Sequence, residues 1–257
     1  MSTNAPVVFL VDVDNTLLDN DAVLEDLRQH VQHELGLGCW ERYRAILVGL
    51  WDELGYRDYL GALQRYRDEH PYDARLPKLS LILMDYPFGN RLYPRALDVI
   101  ARLCAWAPTV LVTDGDVIFQ PRKVQQSGLW QAVDGHVLIY IHKQHELQDI
   151  ETRYPADHYV LIDDKLTILT PVKSAWGSRV TTVFPKQGQY ANDPKLLASH
   201  PPPDITIARI ADLLEYDLPT LVSADPGQRP SRRKVLPFRT RSRHIIATSP
   251  LSRSEQP

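Results

Sequence analysis

Asp12 and Asp14 close an apolar run, Val7 to Val11, and Thr16 stands two residues further on. A short Val/Leu/Phe run of this kind reads as a fully buried strand. Two carboxylates one residue apart at its C-terminal end are costly unless something cationic offsets them. A hard divalent ion such as magnesium, which takes oxygen ligands, is the candidate. Three further apolar runs end in residues that can do chemistry. Thr109–Val112 is followed by Thr113 and Asp114, Val137–Ile141 by Lys143, and Tyr159–Ile162 by Asp163 and Asp164.

These residues need a scaffold that brings strand ends together. A fifth strand-like run is Val180–Phe184, and amphipathic stretches separate most of the five. Helices are predicted over residues 94–106, 120–127 and 145–154, so the expected fold is α/β: a Rossmann-like, mostly parallel sheet with helices on both faces. In such a sheet, ligands gather beyond the carboxyl ends of the strands. Almost a hundred residues after the first run break the alternation. There Leu24, Leu27, Val31 and Leu35, then Trp40 to Leu54, then Tyr56 to Tyr66, repeat a three-to-four spacing. This predicts a small all-helical insert over residues 19–89, with the core formed by 1–18 and 90–218. The alternative is that these helices cover the sheet.

Asp-Val-Asp-Asn-Thr at 12–16, Thr113 at a strand end, Lys143 and Leu-Ile-Asp-Asp at 161–164 resemble the four motifs of the haloacid dehalogenase superfamily. The resemblance covers residues 7–190, and the helical interval sits where one class of that superfamily inserts a cap. It implies a magnesium-dependent phosphatase that hydrolyses a small phosphorylated metabolite through an aspartyl-phosphate. Asp12 would be the nucleophile and Asp14 the acid and base, while Thr113 and Lys143 would hold the phosphoryl oxygens. The metal would be held by Asp12, the Asp14 backbone carbonyl and the later acidic pair, Asp164 directly and Asp163 in support. Many members carry a further acid where this chain has Ile168, and Lys165 follows the pair directly. Lys123 competes with Lys143 for the lysine role, but it lies inside a predicted helix and is expected to point to water.

Other residues are read without function. The His30/His33 and His142/His145 pairs lack a neighbouring cluster and are taken as solvated or capping. Trp40, Tyr43 and Trp51 are assigned to packing, and Arg44, Arg91 and Arg95 to the surface. Cys39 and Cys104 are far apart, giving no disulfide framework and suggesting a reducing compartment. With no apolar run near the roughly 18–20 residues of a membrane span and no leader-like start, the expected location is cytoplasmic, away from membranes. From Leu221 onward the net charge is +6, against −9 for the rest of the chain. The acidic body argues against nucleic acid as the main partner, while the basic tail leaves a secondary contact open. Residues 219–257, rich in Pro, Arg and Ser, are expected to be disordered. Two alternatives share much of this pattern: a phosphomutase of the same superfamily, and a noncatalytic binding module using the fold and the tail. Substrate and oligomeric state are left open.

Overall fold

The computed structural model describes residues 4–223. Six parallel strands form one sheet: β1 (Ala5–Val11), β2 (Thr109–Asp114), β3 (Val137–Tyr140), β4 (Ala156–Ile162), β5 (Val180–Pro185) and β6 (Ile205–Ile207). Their spatial order is β3-β2-β1-β4-β5-β6. The chain leaves β1 towards one edge and returns to its other side with β4. The crevice beyond the carboxyl ends therefore opens at β1, between β2 and β4.

Successive side chains on a strand point to opposite faces, and β1 serves both. Val7, Phe9 and Val11 join one hydrophobic cluster, Val8 and Leu10 the other. Helices α5 (Ala96–Trp106), α6 (Phe119–Gln126) and α7 (Leu129–Ala132) cover the first face through Val99, Leu103, Val124 and Leu129. On the second face α8 (Leu147–Arg153) and α9 (Leu166–Trp176) bring Ile150, Leu169 and Trp176. The parallel α/β architecture expected from the alternation is the one observed.

Four helices fill residues 20–84: α1 (Asn20–Leu35), α2 (Leu37–Leu54), α3 (Tyr59–Glu69) and α4 (Leu76–Met84). They pack in sequence, and α4 returns against α1. Gly55 ends α2 with φ 80°, and its missing Cβ lets the His142 ring sit against it, so this end of α2 meets the strand-end loop after β3.

The described residues end with α10 (Pro194–Ser199), β6 and α11 (Leu218–Val222). Leu221 is fully buried in the first cluster. The expected tail, 219–257, thus begins with helix, and from 224 onward it lies outside the described residues. No helix among the described residues is long and apolar enough to cross a membrane.

Candidate active site

The register of the sheet builds the site. Val11 pairs with Leu111 of β2 on one side and with Ile162 of β4 on the other. Asp12 and Asp163, the next residues on their strands, and Thr113, two past Leu111, must therefore cluster at one edge. Asp12 N–H donates to Ile162 O at 2.9 Å, extending the ladder one step and fixing the start of the loop. The chain then turns sharply: Leu17 and Leu18 N–H both bond Val13 O, and Asn15 adopts φ 60°. Asparagine tolerates this left-handed conformation, and its side-chain oxygen accepts from Asn20 N (3.0 Å) and Asp21 N (3.2 Å) at the start of α1. Thr16 is buried, and its Oγ1 accepts from Asp164 N at 3.1 Å, tying the first acidic motif to the second.

Lys143 reaches under these strands. Its Nζ donates to Asp12 Oδ1, lies 2.7 Å from Asp163 Oδ2 and donates to Val112 O at 3.1 Å. Its backbone N–H is held by Asp114 Oδ1 at 2.8 Å. All three side chains, Lys143, Asp12 and Asp163, are buried. Burial by itself would make the Lys143 ammonium easier to deprotonate, but the carboxylates of Asp12, Asp163 and Asp114 outweigh it and hold the proton firmly. Burial pushes the Asp12 carboxyl up to about 6, with Lys143 opposing and Asp163 reinforcing the rise. Asp164 is driven well above the usual carboxylate range, chiefly by burial.

The charges do not balance within this cluster. Asp12 Oδ2 and both oxygens of Asp164 are buried without a hydrogen-bond partner. Oxygens of Asp12, Asp163 and Asp164 lie within 4.8 Å of one another. Orphaned, convergent carboxylate oxygens are what a hard cation satisfies, so the donor set fits a metal. Within the acidic pair the two positions differ. Asp163 is engaged by Lys143 and by Lys165 N (2.9 Å), leaving Asp164 as the acid with both oxygens open.

Asp14 faces the other way. Lys123 Nζ donates to both of its oxygens at 2.9 Å and to Asn20 Oδ1 at 3.0 Å, and Gln120 Nε2 lies 3.4 Å from Asp14 Oδ2. Gln120 Nε2 also donates to Thr113 Oγ1 at 2.8 Å. The expectation that Lys123 points to water is corrected here: it is 1% exposed. Its α6 position places it against Asp14, 109 residues away in sequence, and that partner is what makes burial of the ammonium tolerable. Gln120 was missed as well; a glutamine at a helix start carries no signal by itself. Trp51, assigned to packing, instead stands at the cavity above Asp14 and is 39% exposed. Trp40 and Tyr43 are buried; Arg91 and Arg95 pair with Asp26 and Asp98. The histidine pairs join no metal-type cluster among the described residues.

The chain matches no protein-family model and no curated protein. Among solved structures it is similar to a haloacid dehalogenase-like hydrolase from Burkholderia xenovorans LB400. The two are 57% identical over 83% of this chain and 97% of that one, with a TM-score of 0.79. This chain belongs to the haloacid dehalogenase-like hydrolases. A magnesium-bound HAD hydrolase from Bacillus subtilis (20% identity, 82% of this chain and 97% of that one, TM-score 0.54) shares the fold. So does a haloacid dehalogenase-like family hydrolase from Xanthomonas campestris (17%, 82% and 90%, TM-score 0.57). Within this family of hydrolases, the buried Asp12–Asp163–Asp164 cluster is where a metal would be held.

Metal occupancy has a measurable signature. A cation that binds only the folded state adds about 2.7 kcal/mol at a hundredfold excess over Kd, or roughly 5–10 °C in Tm for a domain of this size. Because the folded-state pKa of Asp12 is raised to about 6, its carboxylate takes up a proton as pH falls through that value, and burial raises the Asp164 carboxyl in the same direction. Protons then compete with the cation. The Tm gain from magnesium is expected to be large at pH 8 and to shrink markedly at pH 5.5. Calorimetric scans with and without the ion check this, and an equal gain at both values would place the cation elsewhere.

Proposed function

We propose that this hydrolase is a magnesium-dependent phosphatase that hydrolyses a small phosphomonoester through a phosphorylated Asp12. The carrying observation is the pair Asp12 and Asp14. One is held by a buried ammonium beside orphaned carboxylates, while the other turns into the cavity on its own lysine. Asp12 attacks phosphorus, and the ester oxygen leaves with a proton delivered by Asp14. Asp14 then takes a proton from the water that attacks the phosphorus of the aspartyl-phosphate, releasing inorganic phosphate and regenerating Asp12. The Thr113 hydroxyl accepts from Gln120 and so has its proton to offer a phosphoryl oxygen, while Lys143 supplies fixed positive charge below. Magnesium, when bound by Asp12 and Asp164 with Asp163 in support and the Asp14 backbone carbonyl as a further ligand, would neutralise phosphoryl charge and orient the group.

Asp14 favours phosphatase over dehalogenase chemistry, because a halide departs as an anion and needs no proton. The test is release of inorganic phosphate from a panel of alkyl phosphates, with magnesium and with a chelator. Lys123 sharpens it. With Lys123→Met, Asp14 loses the donor that fixes both its oxygens, so proton delivery suffers. Turnover of alkyl phosphates is expected to fall on the order of 10²-fold, the range of one positioned acid. Turnover of para-nitrophenyl phosphate, whose leaving group needs little protonation, falls much less. Equal losses on both substrates would remove Asp14 from the acid role.

A further inference from the structure

The cavity above Asp14 is small, about 80 Å³, and lies between the strand ends and the α2–α3 connection. Its charged lining divides into two kinds. The acids are already engaged: Asp14 by Lys123, and Asp114 by the Lys143 backbone. The cations Arg57 and Lys165 are not. Among the described residues neither makes an ion pair within 4 Å, although both are half-buried, and the Asp164, Asp12 and Asp163 carboxylates act on Lys165 only from farther off. Tyr190 stands between them. Lys165 Nζ sits 5.4 Å above its ring, and Arg57 is close enough to feel its hydroxyl.

Two further observations mark this end of the cavity as built for a ligand. The guanidinium of Arg57 lies 5.6 Å over the Trp51 ring, which fixes its plane on a flat wall. Tyr59 lines the same cavity and is more than nine-tenths buried, yet its hydroxyl makes no hydrogen bond of sound geometry even with Arg57 beside it. A half-buried guanidinium without an ion-pair partner is poorly solvated, and it matches carboxylate or phosphate oxygens with two parallel donors.

Resting on the phosphatase reading above, we propose that Arg57 and Lys165 form a subsite for a second anionic group on the substrate. That substrate is a short phosphomonoester whose leaving group carries a carboxylate or a second phosphate at its far end. The transferred phosphoryl is not what this subsite answers. Lys143, the ammonium committed to Asp12, lies beneath the cavity floor and does not line it, whereas Arg57 comes from the helical segment on the opposite wall.

Three phosphomonoesters of similar length separate the outcomes: glycerol 3-phosphate, 3-phosphoglycerate and propane-1,3-diol bisphosphate. At least one of the anionic pair is expected to exceed glycerol 3-phosphate in kcat/KM by tenfold or more, and which one does so identifies the second group. With Arg57→Met that preference collapses to within threefold, mainly through KM, and Arg57→Lys restores part of it. Arg95→Met, at an exposed arginine paired with Asp98, keeps the preference intact. Equal kcat/KM for the neutral and anionic compounds overturns the subsite while leaving the phosphatase reading standing. So does a preference that survives Arg57→Met. No phosphate release from any of the three, with none from the wider panel, removes the phosphatase reading and the subsite with it.

Discussion

On the proposed mechanism, replacing Asp12 by Asn is expected to lower kcat by roughly 10⁴-fold or more, since an amide cannot form the phosphoenzyme and removal of an acting nucleophile has effects of that size. The change leaves the volume of the side chain nearly unaltered. Lys143 retains Asp163 at 2.7 Å and Val112 O at 3.1 Å, so its charge stays paired. The metal-free variant should also be no less stable than the parent. Asp12 carries a burial penalty large enough to push its carboxyl up to about 6, and the neutral amide does not. Loss of turnover with an unchanged or raised Tm is therefore the signature of a chemical role. Phosphate release at a tenth of the parent rate would move the nucleophile to another residue. A lower Tm alongside the loss would mean that Asp12 chiefly counterbalances Lys143.

What the sequence disclosed and what it hid follow from the range of the interactions involved. Strand ends are local: five of the six strands are recognisable as apolar runs, and each candidate site residue read from the sequence sits just past one of them. Parallel pairing converts that one-dimensional position into a shared edge, so Asp12, Thr113, Lys143 and the 163–164 pair were legible together. The three residues of β6 gave too short a run to register, and Pro171 inside α9 disguised that helix. Lys123 shows the sharper limit. Between Gln120 and Gln126 on a short helix it reads as a solvated lysine, and only its distant partner Asp14 explains why it is buried. The same holds for Arg57 and Tyr59. Arg57 stands in the connection between α2 and α3 and Tyr59 at the first residue of α3, and their meaning comes from a cavity wall supplied by other segments. The family resemblance alone ranked Asp164 ahead of its neighbour Asp163; the physical basis of their different engagement appears only once Lys143 and the Lys165 backbone are placed.

Removing Lys143 tests the electrostatic core of the site. Lys143→Met keeps the length of the side chain and deletes the ammonium, leaving Asp12, Asp163 and Asp164 buried together. Breaking a buried ion pair from one side costs about 3–5 kcal/mol, because the abandoned charges keep their desolvation penalty. Urea unfolding of the metal-free variant at pH 8 should show a loss of that order. The sign of its pH dependence follows from the parent. Lys143 lowers the pKa of Asp12, so deleting it raises the folded-state value further above that of the unfolded chain. Carboxyl groups with raised folded pKa values favour the native state while protonated and lose that advantage as pH rises through the folded value. The deficit of the variant should therefore narrow towards pH 5, the reverse of ordinary acid denaturation. Magnesium should narrow it too at pH 8, since a divalent ion among Asp12 and Asp164 restores part of the missing positive charge. Turnover should stay low even with magnesium added, because the ion replaces the charge of Lys143 but not its bonds to Asp12 and Val112 O that position the proposed nucleophile.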